Sequence, residues 1–211
     1  MKRVLYIAVI LIVCIGFFFY SCEKDEVVST PVENPALNTK ATTYLIRQGN
    51  HYCEQNAAEL MIDPVIHATV TFDSSAIYTS QDAVNQGDVN KLIGFSDCNS
   101  NHQENSARLG WSWTGKRVAL YAYAYSNKVR IIKSLGTVDI NQSFPCSVRA
   151  GSNFYYFTVN NRTDSVERAC SGYTGYRYKL FPYFGGDEAA PHDVRIVVVE
   201  EQPGSQNQGA K

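Results

Sequence analysis

Apolar residues recur at every second position along much of this chain, a spacing that strands produce and helices do not. Ile66, Ala68, Val70 and Phe72 alternate with His67, Thr69 and Thr71, and Val118, Leu120, Ala122 and Ala124 alternate with Ala119, Tyr121, Tyr123 and Tyr125. Successive side chains on a strand point to opposite faces, so each run turns one face to a core and the other away from it. The same reading predicts strands over 44–47, 129–132, 137–140, 154–159, 176–181 and 194–199, and a further one on which Ala107, Leu109 and Trp111 share the core side. Turn residues divide them at Ser126-Asn127, Asn160-Asn161, 172–175 and Gly185-Gly186. No segment sustains a 3.6-residue apolar stripe, although 88–92 would suit one helical turn. Many short strands divided by turns build a sandwich or barrel, and the expectation is an all-β fold of two antiparallel sheets packed as a jelly roll.

The N-terminal segment has a different character. Lys2 and Arg3 precede an apolar stretch from Val4 to Tyr20, and Ser21 stands before Cys22. A basic start, an apolar run and a small residue ahead of a cysteine make a lipoprotein signal peptide over 1–21, with Cys22 as the acylated (palmitate-bearing) residue. The alternative is a retained membrane helix, for which the run falls a little short of the roughly 20 residues that span a bilayer. Residues 22–40, with Pro31 and Pro35 and few large apolar side chains, read as a flexible tether; 41–201 as one sandwich domain; and 202–211, rich in Gln and Gly, as a disordered tail.

Charge and cysteines narrow the function. Without the signal segment, which carries Lys2 and Arg3, 17 basic residues face 20 acidic ones. With no Lys/Arg cluster, nucleic acid is not expected as a partner, and without a phosphate-cradling loop or dinucleotide fingerprint no cofactor is expected either. Cys53, Cys98, Cys146 and Cys170 form an even set in the folded part, which for an exported chain favours disulfides. Three pairings are open; Cys53 with Cys98 and Cys146 with Cys170 is the one favoured, the second as a hairpin staple.

Several runs resemble one another's counterparts in a known group. Glu23-Lys24-Asp25-Glu26 is similar to the Lys-then-acidic export signal behind the lipidated cysteine of Bacteroidetes-type surface lipoproteins. Phe72-Asp73-Ser74-Ser75-Ala76-Ile77-Tyr78, Asp88-Val89-Asn90-Lys91-Leu92-Ile93-Gly94-Phe95-Ser96, Asn105-Ser106-Ala107-Arg108-Leu109-Gly110-Trp111, and Pro182-Tyr183-Phe184-Gly185-Gly186-Asp187-Glu188 with Ala190-Pro191-His192-Asp193 resemble a group of such lipoproteins. The resemblance implies a concanavalin-like jelly-roll domain, lipid-anchored in the outer membrane and facing outward. It implies no activity and no catalytic residue.

The candidate site is therefore argued from residue types. Tyr121, Tyr123 and Tyr125 share one strand face opposite an aliphatic one; Arg108 takes the polar face of its own strand, and Trp113 lies near that strand's end. Aromatic faces suit the apolar side of pyranose rings and planar polar groups suit hydroxyls, so these five residues are the candidate glycan-binding set. The competing reading is a tyrosine ladder packed as core. Asp187 and Glu188 offer hard oxygens to calcium, but no EF-hand spacing is present and a turn with satisfied carboxylates is the favoured reading, so no metal is expected. A glycosidase needs two facing carboxylates, for which no alternating acidic run exists. A polysaccharide lyase would need His, Tyr and a cation, types that His102, Arg108 and the tyrosines supply. Three classes follow: a glycan- or ligand-binding surface lipoprotein, a structural or adhesive one with protein partners, and a carbohydrate-active enzyme. A deep cleft with convergent His, Arg and Tyr would favour the last.

Overall fold

A computed structural model describes residues 39–170 and 176–202. Within them the chain forms twelve strands: β1 (Thr39–Ile46), β2 (Leu60–Met61), β3 (Val65–Phe72), β4 (Asn90–Ser96), β5 (Ser106–Trp113), β6 (Val118–Ser126), β7 (Val129–Val138), β8 (Phe144–Ala150), β9 (Phe154–Val159), β10 (Arg162–Glu167), β11 (Arg177–Leu180) and β12 (Val194–Glu201). They pair antiparallel into two six-stranded sheets, β1-β12-β3-β8-β9-β10 and β2-β11-β4-β5-β6-β7. The fold is the expected antiparallel jelly-roll sandwich. The predicted signal peptide, Cys22 and nearly all of the tether and tail lie outside the described residues.

The period-two rows close the core. Val70, Phe72, Val148, Phe157, Ile196 and Val198 of the first sheet, and Leu109, Trp111, Leu120 and Ala122 of the second, are fully enclosed. Phe72 packs 5.1 Å from Trp111 across the sheets, and Phe144 stacks 6.0 Å beyond it. Burying such side chains is the main favourable term in folding.

Four local expectations are corrected. Residues 88–92 form no helical turn: β4 starts at Asn90, and a short 3-10 turn occupies Ala83–Gly87 instead. Both faces of β4 are covered, which erases the alternation by which a half-buried strand is read. The two strands predicted over 129–140 are one, β7, whose register against β6 shifts between Leu120 and Tyr121; a bulge of this kind breaks the apparent period. β8 and β10 were absent from the predicted set, the second because its sequence RTDSVE is polar.

The fourth correction concerns the cysteines. Cys98 bonds to Cys170, 72 positions away, and Cys53 and Cys146 remain buried free thiols. Cys146 sits in β8 facing the core rather than in a hairpin with Cys170. Burial pushes the Cys53 thiol up to about 11 and the Cys146 thiol up to about 12, which leaves both inert toward thiol chemistry in the folded protein.

Candidate functional site

The outer face of the second sheet carries the site. The β5–β6 register sets Arg108 opposite Tyr123, Ser106 opposite Tyr125 and Gly110 opposite Tyr121. Residues directly opposite on one face are close enough for their side chains to interact. Glycine at position 94 of β4 makes room for Arg108 opposite it: a Cβ there would stand 2.6 Å from Arg108 Cα and 2.8 Å from its Cγ.

Two loops raise walls around this face. In the segment after β11, Tyr183 exchanges backbone hydrogen bonds with Lys91, and the Phe184 amide donates to the His51 carbonyl at 2.8 Å. His51 stacks on the Tyr183 ring at 5.2 Å, and Tyr52 meets its edge at 4.9 Å. On the other side the β4–β5 loop is closed by the Asp97 amide donating to the Asn105 carbonyl and by Ser106 Oγ donating to the His102 carbonyl at 2.6 Å. The result is a groove of about 660 Å³ with Tyr52, Tyr123, Tyr125 and Tyr183 as its aromatic surfaces.

Its polar lining is one-sided. Lys91, His102, Arg108, Arg130 and Lys179 reach the groove, and among the described residues no Asp or Glu does. Lys91 Nζ donates to the Gly185 carbonyl at 2.7 Å and lies 5.3 Å from the Tyr123 ring centre and 5.4 Å from that of Tyr183. Arg108 Nη2 donates to the Phe181 carbonyl at 2.6 Å, while its buried Nε has no partner. Burial, with Arg108 next to it, brings the Lys91 ammonium down to about 8. Burial brings Arg108 down to about 10. His102 is shifted below its ordinary value by desolvation and then by Arg108 and Lys91, so at neutral pH it stands as a neutral imidazole.

Of the residues expected here, Arg108, Tyr123 and Tyr125 meet in the groove. Tyr121 and Trp113 do not line it. The Tyr121 hydroxyl bonds Ser112 Oγ at 3.1 Å, and Trp113 is partly buried against the core, as its shared parity with Trp111 requires. Tyr123 is only 6% exposed, so it forms floor rather than open platform. Glu188 is occupied structurally: it accepts the Gln81 and Asp82 amides, each at 2.8 Å, and the Asn85 side-chain amide at 2.9 Å. Asp187 is exposed beside Asp88. Among the described residues the one group with metal-ligand spacing is Asp97, Cys98 and Cys170, whose sulfurs are already bonded to each other.

Lys91, Tyr52 and Tyr183 escaped the alternation reading because one comes from a strand covered on both faces and the others from loops. The 88–96 and 182–188 runs quoted above do contain Lys91 and Tyr183, so the signal lay in those motifs and not in periodicity.

No family model and no curated protein matches the chain. Solved structures do. The alginate lyase from Klebsiella pneumoniae is similar with a TM-score of 0.50 at 13% identity, over 67% of this chain and 60% of that one. The chain thus spans less than two thirds of that enzyme's length. The alginate lyase from Alteromonas sp. 272 is similar with a TM-score of 0.50 at 9% identity, over 81% of this chain and 89% of that one. A third alginate lyase reaches 0.51 at 7% identity, over 76% and 72%. At these identities the likeness speaks for architecture, and the chain is a concanavalin-like jelly-roll sandwich.

Proposed function

We propose that this protein binds glycan in the groove of its second sheet. The observation that carries the reading is a walled cleft that combines the tyrosines with convergent hydrogen-bond donors, the two things a pyranose needs. Sandwiches of this architecture in the structural comparison include alginate lyases, which act on a polysaccharide. The test is titration of the full chain, in detergent, with a panel of glycan oligosaccharides. At least one class is expected to bind, and Tyr183→Ala, at a half-buried position on the rim, is expected to weaken it by about 1 kcal/mol or more, roughly fivefold, with little change in melting. A panel on which nothing binds would end the reading.

A second reading has its own support, because His102, Arg108, Tyr123 and Tyr125 line one groove. Those are the types a polysaccharide lyase uses: a neutral imidazole or a tyrosine to remove a proton and a cation to hold the sugar's acid group. A glycosidase is disfavoured, since no carboxylate among the described residues lines the groove. Unsaturated product forming on the same panel would separate lysis from binding.

The location proposed is the outer face of the outer membrane, through acylated Cys22, with the sandwich held outward for glycan or surface-protein contact. Its support is the sequence alone, from Lys2 to Glu26. Cys22→Ala is expected to abolish acyl labelling and membrane retention; label that persists on the variant would overturn the assignment.

A further inference from the structure

We infer that the groove selects negatively charged glycans, with the sugar's acid group, a uronate carboxylate or a sulfate, seated between Arg108 and Lys91. The inference rests on reading the groove as a glycan site and names the class of glycan.

Four observations carry it. First, among the described residues cationic or imidazole side chains supply all the titratable polar lining apart from the tyrosines, with no acidic side chain among them. The chain as a whole is not basic, carrying 19 Lys and Arg against 20 Asp and Glu, so the concentration is local. Second, among the described residues only one of those cations is neutralised. Lys179 is paired with Glu200 at 2.7 Å and Glu59 at 3.5 Å, whereas among the described residues no carboxylate forms an ion pair with Lys91, Arg108 or Arg130. Third, the partners of the two cations at the centre are neutral: the Gly185 carbonyl for Lys91 and the Phe181 carbonyl for Arg108. Carbonyls orient a cation without cancelling its charge. Fourth, Arg108 is 8% exposed and keeps a buried Nε with no acceptor. A buried guanidinium without a counter-ion is costly, and an arriving oxyanion would supply both the missing acceptor and the missing charge. The acid that acts on Lys91 is Asp88, whose carboxylate faces Gly186 and the Asp187 amide.

The arrangement also sets a pH dependence. Arg108, Arg130 and Asp88 are the charged groups acting on Lys91, and burial comes first in bringing its ammonium down to about 8. Below that pH the groove has its full charge; above it Lys91 is neutral and attraction for an anion falls.

The experiment is calorimetric titration of the full chain with an oligogalacturonate, the same oligomer after carboxyl reduction, a chondroitin sulfate oligosaccharide, a cello-oligosaccharide and an oligoglutamate. At least one acidic glycan should bind tenfold or more tighter than both neutral ones; chondroitin sulfate carries glucuronate carboxylates as well as sulfate, so sulfate is identified only by chondroitin binding that is lost on desulfation. The preference should shrink severalfold between 0.05 and 0.5 M NaCl and between pH 7 and pH 9, and Arg108→Gln and Lys91→Met should each bring the acidic-to-neutral ratio toward one. Melting curves accompany both variants; if Arg108→Gln does not fold, Lys91→Met alone decides. Neutral oligomers that bind as tightly as acidic ones would overturn the charge selectivity and leave the glycan reading standing. Oligoglutamate equal to the acidic glycans would overturn sugar recognition of the anion, and no binding by any oligomer would overturn both readings.

Discussion

Asp97→Ala should cost the protein about 3–5 kcal/mol of stability, measured by urea or thermal unfolding, because it strips the counter-charge from two buried cations at once. Asp97 is 1% exposed and lies 2.5 Å from Arg168 Nε and 3.0 Å from Arg177 Nε. It also accepts the Tyr155 hydroxyl at 3.1 Å. Tyr155 is in β9 of the first sheet and Arg177 in β11 of the second, so this carboxylate joins the two layers. Exposed pairs such as Arg117 with Asp139 contribute 1 kcal/mol or less by comparison. A loss for Asp97→Ala no larger than that would show the network to be dispensable. Burial alone would raise the Asp97 carboxyl, but Arg168 and Arg177 outweigh it and hold the group below the usual carboxylate range. A group lowered in this way stabilises the fold above its unfolded value of about 4 and stops doing so as pH falls through its folded value. Acid unfolding of the native chain is therefore expected to begin below about pH 4 and to be blunted in the variant.

Reducing the Cys98–Cys170 disulfide should cost about 2–5 kcal/mol, toward the upper end because the bond closes a separation of 72 residues. For a domain of this size that is a fall of roughly 10 °C in melting temperature. Of the four cysteines among the described residues, thiol titration should find none reactive in the native oxidised protein and two after denaturation without reductant, since Cys53 is 1% and Cys146 5% exposed. Four thiols in the denatured sample, or an unchanged melting curve on reduction, would contradict the assignment. Cys98 follows Asp97 directly, and Cys170 Sγ lies 3.6 Å from Asp97 Oδ2, so losses from the two changes should not add.

What could be read from the sequence was what alternation encodes. In β6 the rows Val118, Leu120, Ala122, Ala124 and Tyr121, Tyr123, Tyr125 fell to core and outer face as expected, and parity put Arg108 on the tyrosine side once its strand neighboured β6; that it stands opposite Tyr123 is a matter of register, which parity does not give. Alternation does not report depth: it could not show that loop walls would leave Tyr123 nearly covered or withdraw Tyr121 toward Ser112. Nor does it report contacts between distant segments. The groove joins Tyr52, Lys91, Arg108 and Tyr183, which come from four separate stretches, and their meeting depends on β11 lying beside β4. The cysteine pairing failed for the same reason, since proximity in sequence favoured a local staple and the bond is long-range.

The two enclosed thiols bear on how the chain reaches its native state. The four cysteines among the described residues admit six single bridges, of which one is native. Cys53 and Cys146 are shielded only once both sheets have closed over them, so during assembly all four compete for oxidation. An unfolded chain in an oxidising compartment can lock Cys53 or Cys146 into a wrong crosslink that the finished core has no room for. Correct maturation thus depends on the sandwich closing before oxidation, or on an exchange catalyst that reopens the wrong bonds. The cysteines left unpaired constrain the production of this protein more than they constrain its finished form.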